Sequence, residues 1–472
     1  MYRGNTIMSK TILDKFTDDF IKERKDECPQ ATTEEIRQLA LNVLELVMVK
    51  KPDGTPEEWV RELMKPTIDI LEGIRSNYPV PGYNVLLNVG NIDAGMYAGY
   101  MDFTKNRPMV KDGIFDIASM TKSPTQTLSD ILIDNNVFNL NHKIRELHPK
   151  FINVQDLTVD DIKRFAVSFQ TPGRIDGAET SDEALDRLYR EEVSNIGYYD
   201  YNDMGMMTMK EVMEYITNMP YEKLVNELIV KPLGLKNTHL FVPENKIALL
   251  TGSPNWQIGA VNDGNANAFK KGFSGHAGLW MSPQDWVTYM NAITKGELIS
   301  EEALARTYTS GRLADAKGVL WDFRSLEGNY YTSDVSTDTS FTDVLVPKTG
   351  ASAQGSTRCF GLRFPEGAAF AGLNPSSISK EEALRIQEEK NLKDQVKDIN
   401  MITSGSVDGP HTSRFTTCID SRRWMPVGRT QKPIVRSLAE LRIKLLFLEK
   451  YMNEYNYANE KDLAVKVYTK VA

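Results

Sequence analysis

Cysteine is scarce in this chain of 472 residues: there are three, Cys28, Cys359 and Cys418, far apart from one another. They make neither a closely spaced thiol pair for a metal nor a dense disulfide framework, and a reducing compartment is expected. Histidine is nearly as sparse, with five, none paired at metal-binding spacing. No H-E-x-x-H and no glycine-rich phosphate loop occurs either, so neither a metal nor another cofactor is implied. Long hydrophobic runs are missing as well. The most apolar stretch, Leu438 to Met452, is interrupted by Glu440, Arg442, Lys444, Glu449 and Lys450, and no membrane span is expected. The first twenty residues carry charges every few positions, unlike the apolar core of a cleaved leader, so the expectation is a soluble, cytoplasmic protein. Positive charge is in deficit: 56 Lys and Arg stand against 64 Asp and Glu, a net charge of −8. With no basic patch to offset it, that balance disfavours a grip on nucleic acid.

What is present is ordinary globular composition, 41% hydrophobic and 25% charged, in a length that allows two or three domains or one large fold with insertions. Residues 1–50 have apolar positions at helical spacing (Ile36, Leu39, Ala40, Val43, Leu44, Val47) and read as a helical N-terminal extension. Thr55 then offers an N-cap and Pro56 a first helical residue for a helix running to about Tyr78. Two apolar runs around Gly90, Asn91 and Asp93 read as a β-hairpin. Helical texture dominates from about Leu157 to Ile299, and strand-like texture returns at 318–324 and 348–373. The chain therefore enters a sheet, leaves it for a helical insertion and comes back. Residues 376–398 read as a charged helix and Pro433 to Tyr457 as a long amphipathic one. The expected division is an N-terminal extension (1–50), a sheet domain (51–150 with 301–375), a helical domain (151–300) and a C-terminal extension (376–472).

The strongest chemical signal is Phe115-Asp116-Ile117-Ala118-Ser119-Met120-Thr121-Lys122 at the start of a helix. Residues three apart share a helical face, so Lys122 reaches the Ser119 hydroxyl. A serine is a weak nucleophile at neutral pH, and a neighbouring lysine is a base able to take its proton. Taken alone, such a pair also fits an ordinary helix N-terminus.

The surrounding text resembles the serine β-lactamase and penicillin-binding-protein superfamily, in particular its class C branch with related esterases and D-amino-acid peptidases, over roughly Thr55 to Asn374. Phe115 to Lys122 is similar to that family's nucleophile helix. Tyr201-Asn202-Asp203, within the cluster Tyr198, Tyr199 and Tyr201, resembles its second element, and the register selects Tyr201. Lys231 to Thr238, Val261-Asn262-Asp263-Gly264-Asn265-Ala266 and Gly275-His276-Ala277-Gly278-Leu279 resemble its scaffold phrases, with His276 expected to be buried and hydrogen-bonded. Lys348-Thr349-Gly350-Ala351 resembles the K-T-G strand; Pro410-His411-Thr412-Ser413 competes for that place, and Lys348 is favoured.

The resemblance implies an α+β fold: an antiparallel β-sheet flanked by helices, an inserted all-helical domain, and helical extensions at both ends. It implies Ser119 as nucleophile, Lys122 and Tyr201 as proton handlers, and Lys348 as a further catalytic cation. Asp203, Thr349, Gly350 and Ala351 would bind substrate, and the backbone N–H groups of Ser119 and Ala351 would form an oxyanion hole. The partner is then a small ester or amide. The same scaffold would also serve an acyltransferase or peptidase, or a pseudoenzyme that keeps its cleft for a ligand. Departures are visible: Pro124 follows Ser119 one residue later than in relatives, the family's L-L-x-H-T-S-G stretch survives only as Phe165 to Gly173, and Asp203 replaces an amide. That replacement removes the donor that would seat a penicillin side chain.

Overall fold

The computed structural model describes residues 10–28, 31–77, 81–102, 105–154, 156–170, 175–197, 200–251, 259, 261, 263–269, 272–308, 311–314, 320–323, 351–354, 360–363, 369–373, 427–456 and 464–471. The expected hairpin is the centre of the fold. Strands Gly82–Val89 and Ile92–Gly99 pair antiparallel around Gly90 and Asn91, with Gly90 at φ +52°, a backbone state that the two-residue hairpin requires. Strand Ala369–Leu373 pairs with the first of these, Phe360–Arg363 with Ala369–Leu373, and Ala351–Gln354 with Phe360–Arg363, all antiparallel. On the far side, Val465–Lys470 lies parallel to Ile92–Gly99 and completes six strands. The C-terminal extension thus supplies the sheet's last strand.

Period-two alternation sends the sheet's side chains into two cores. Tyr83, Val85, Leu87 and Val89, with Ile92, Ala94, Met96 and Ala98, face the N- and C-terminal helices. Those helices are Lys10–Glu27, Thr33–Leu44, Pro56–Asn77 and Val427–Tyr451. Leu86 points the other way, into the larger core of the helical part, and every residue of Gly82–Val89 is buried, as befits a strand covered on both faces. Helix Pro283–Thr294 packs on that second face, where Asn291 Nδ2 donates to Asn88 Oδ1 at 2.7 Å. The helix that begins at Pro56 is capped by Thr55 and Glu58, each accepting the other's backbone N–H. It ends at Asn77, close to the expected limit.

The two extensions form one core with the sheet. Phe447 is fully buried and meets Phe16 and Phe20 edge-on, with ring centroids 5.0 and 4.9 Å away. Thr67 and Ser437 share a buried hydroxyl contact at 2.8 Å, and Asn91 donates its backbone N–H to Glu449 at 3.0 Å. Among the described residues no helix is long and apolar enough to cross a membrane. The expected helix at 376–398 lies outside the described residues.

Phe447→Ala should lower the free energy of unfolding by about 3–5 kcal/mol and move the principal urea transition of the whole chain. A principal transition left in place, with only an early loss of helix signal, would mean that the extensions stand apart from the sheet.

Candidate active site

The chain approaches Ser119 through a short strand, Phe115–Asp116, which pairs with Trp280–Met281. Ile117 donates its N–H to Leu279 O at 3.1 Å, and Asp116 Oδ1 accepts the Ala118 N–H at 2.9 Å. These bonds hold Ala118 at φ +45°, a left-handed state that costs a non-glycine residue about 1–2 kcal/mol. The strained residue immediately precedes Ser119 in a 3-10 turn, Ala118–Thr121, and the α-helix proper runs Lys122–Asp134. Pro124 falls within that helix's first turn, where a missing N–H leaves no bond unmade. Ala118, Met120, Thr121 and Lys122 are buried while Ser119 is half-exposed. The turn therefore presents one hydroxyl from an otherwise buried surround.

Lys122 is fully buried, and three acceptors surround its Nζ, matching the three donors of a lysine head group. Ser119 Oγ lies at 3.1 Å, Asp203 Oδ1 at 2.8 Å and the His276 carbonyl at 3.5 Å. The Tyr201 ring covers the remaining side, its centroid 4.8 Å from Nζ. Tyr201 is held in turn by stacking on Phe165 at 5.2 Å, while Phe165 O accepts the Asp200 N–H at 2.8 Å. Phe165, the first residue of the stretch that departs from the family phrase, thus supports the tyrosine through packing.

Asp203 precedes helix Met204–Thr217 but does not cap it. Asn202 takes that part, accepting the Gly205 N–H on Oδ1 at 2.8 Å, which leaves the Asp203 carboxylate turned to Lys122. Its other oxygen accepts from Asn265 Nδ2 at 3.2 Å. Both oxygens of this expected substrate-binding residue are thus engaged by the protein.

His276 is fully buried and hydrogen-bonded through both ring nitrogens, to Ser274 Oγ at 2.9 Å and Asp263 Oδ1 at 2.8 Å. Its flanking glycines are obligatory: Gly275 has φ +84° and Gly278 φ +103°, and a Cβ on Gly275 would stand 2.6 Å from Met206 O. The same loop is stitched to the Ala118–Thr121 turn, since Leu279 donates its N–H to Thr121 Oγ1 at 3.2 Å. Sequence reasoning placed Asp263, Asn265 and His276 in the scaffold; the structure places them directly behind Asp203. The one available signal was that a histidine, a carboxylate and an amide recur in two adjacent family-like phrases.

Asp203, Asp263 and His276 bring potential metal-ligand atoms within 4.8 Å of one another. The positive charge at that place is already supplied by Lys122, 2.8 Å from Asp203, and both His276 nitrogens are committed. The donor set does not fit a resident cation.

Ala351 opens the strand Ala351–Gln354 at one end of the sheet order, and this strand runs beside the Ala118–Thr121 turn. Lys348, Thr349 and Gly350 lie outside the described residues, as do Tyr198, Tyr199 and the competing His411. The structure thus brings together Ser119, Lys122, Tyr201 and Asp203, with the strand that begins at Ala351 alongside.

The family model described as Beta-lactamase matches residues 57–369. A beta-lactamase of Providencia stuartii is 20% identical over 265 residues, spanning 54% of this chain and 67% of that protein. Among solved structures, a class C beta lactamase from Rhodobacter sphaeroides superposes with a TM-score of 0.54 at 16% identity, covering 66% of this chain and 93% of that one. EstCE1, a hydrolase with promiscuous acyltransferase activity, also gives a TM-score of 0.54 at 16% identity, over 67% and 94% of the two chains. These likenesses establish a β-lactamase/transpeptidase-like α+β fold, as the sequence led one to expect.

A cation bound at a hundred times its Kd would stabilise the folded chain by about 2.7 kcal/mol. Neither zinc nor magnesium should raise the thermal unfolding midpoint, and EDTA should not lower it. A dose-dependent rise abolished by Asp263→Asn would show that the Asp203, Asp263 and His276 cluster is a metal centre.

Proposed function

Because the chain belongs to the beta-lactamase family, within the serine hydrolase superfamily, we propose that it cleaves a small ester or amide through an acyl-enzyme on Ser119. The observation that carries this reading is the half-exposed Ser119 hydroxyl 3.1 Å from the buried Lys122 amine nitrogen. Ser119 Oγ attacks the carbonyl carbon as its proton is taken up by the Tyr201 and Lys122 pair, and the tetrahedral oxyanion is held by the backbone N–H groups of Ser119 and Ala351. Collapse breaks the bond to the alcohol or amine, which leaves with the proton. Water then attacks the acyl carbonyl, gives up a proton through the same groups and restores the serine.

Tyr201 and Lys122 manage the proton, and Lys348, Thr349 and Gly350 form the third element beside the Ala351 strand. Asp203 acts in this scheme through Lys122. As an ionised carboxylate it accepts hydrogen bonds and donates none, so it cannot hold the side-chain carbonyl of a penicillin. Neutral or amine-bearing acyl donors fit better. Acyl transfer to an acceptor other than water is the second reading, favoured by the likeness to a hydrolase with promiscuous acyltransferase activity.

The purified chain should hydrolyse a short-chain p-nitrophenyl ester, and Ser119→Ala should bring the rate down to that of buffer alone. At equal enzyme, nitrocefin should turn over more slowly than the ester. Wild-type turnover in the variant would remove Ser119 as nucleophile, and faster nitrocefin would remove the argument from Asp203. For the third element, Lys348→Ala should lower kcat by about two to four orders of magnitude and His411→Ala should change it little. The reverse pattern would move that role to His411.

A further inference from the structure

Two segments that resemble scaffold phrases meet behind Asp203, and their side chains take no part in the proton transfers at Ser119. Asp263 caps the short helix Gly264–Ala268, its Oδ1 accepting the Ala266 N–H at 2.8 Å. The same oxygen lies 2.8 Å from His276 Nε2. An ionised carboxylate only accepts, so Nε2 carries a proton, and Nδ1 shares a hydrogen bond with the Ser274 hydroxyl. The helix that Asp263 caps carries Asn265, which is buried and donates from Nδ2 to Asp203 Oδ2 at 3.2 Å. His276 Nε2 stands 3.8 Å from that same oxygen. Asp203 Oδ1 then meets Lys122 at 2.8 Å, and Lys122 meets Ser119 at 3.1 Å. A continuous set of contacts runs from the imidazole to the nucleophile.

We propose that Asn265, Asp263 and His276 are positioning residues for Ser119: they orient the Asp203 carboxylate so that it fixes Lys122 against the serine hydroxyl. The inference rests on the reading of Ser119 as nucleophile. Its physical basis is that Asp203 keeps 21% of its side-chain surface exposed and sits at a helix start, where water and the helix's own N–H groups compete for its oxygens. Asn202 occupies the helix N–H group, and Asn265 holds Oδ2 from the opposite side. What remains is a single orientation for Oδ1. Asn265 in turn depends on the short helix that Asp263 caps, and Asp263 is pinned by the His276 ring. None of the three touches the reacting atoms. Their influence passes through Asp203.

The test uses ester kinetics on the full chain together with thermal unfolding. Asn265→Ala should lower kcat about 10- to 100-fold, the scale of a misplaced catalytic group, with KM within about twofold and an unfolding midpoint near that of the parent. Asn265→Asp, which sets a second carboxylate against Asp203, should lose at least as much. His276→Gln, which keeps an N–H donor, should retain more kcat than His276→Leu. In an Asp203→Asn background the Asn265→Ala change should add little, because the group it orients has been altered. An Asn265→Ala kcat equal to that of the parent overturns the proposal, and so does the same fold-loss in both backgrounds. Should His276→Leu not fold, the Asn265 variants decide. Failure of the nucleophile assignment reads differently, as turnover that survives Ser119→Ala whatever Asn265 does.

Discussion

A lysine wholly removed from water is the constraint around which this structure is organised. Taking an ammonium out of solvent costs several kcal/mol unless a counter-charge and acceptors replace the lost hydration. Lys122 finds them in Asp203, the His276 carbonyl, the Ser119 hydroxyl and the face of Tyr201. They come from three segments: the Ala118–Thr121 turn, the stretch from Tyr201 to Asp203 before helix Met204–Thr217, and the glycine-flanked loop that leads into Trp280–Met281, the strand paired with Phe115–Asp116. Burying the cation therefore ties the helical part to the nucleophile turn, and the same contacts that satisfy the lysine assemble the site.

The sheet gives that assembly a fixed frame. Gly82–Val89 is buried on both faces, with terminal helices on one side and Pro283–Thr294 on the other. The edge strand Ala351–Gln354 reaches the nucleophile turn through two neighbours paired back to this central strand. A second buried ion pair, Lys163 with Asp130 at 3.1 Å, anchors helix Lys122–Asp134 at the end away from Ser119. Arg306 adds a contact to the other Asp130 oxygen at 3.3 Å. Removing one member of so buried a pair is costlier than the pair's net contribution, so the helix is held firmly at both ends.

Legibility in the sequence followed the range of the interaction. Local signals read correctly: the hairpin around Gly90, the helix opened by Thr55 and Pro56, the one-turn spacing of Ser119 and Lys122, and a buried His276. The family-like register picked Tyr201 from a tyrosine cluster; its ring covers Lys122, while Tyr198 and Tyr199 lie outside the described residues. Contacts between distant segments were not legible. Asp203 carried no sign that its carboxylate would turn to Lys122, because Asn and Asp cap helices about equally well and the two stand side by side. His276 and Asp263 meet only because the His276 loop folds back beside the helix that Asp263 caps. The terminal extensions read as appendages because a parallel pairing such as Val465–Lys470 with Ile92–Gly99 has no local turn to announce it.

We propose that the buried lysine serves a nucleophilic Ser119, and labelling the folded chain with a fluorophosphonate, followed by peptide mass spectrometry of the adduct, decides it. One adduct is expected, on Ser119, formed in step with the loss of ester hydrolysis. An adduct on another residue, or a folded and active protein that takes up no label, would rule Ser119 out.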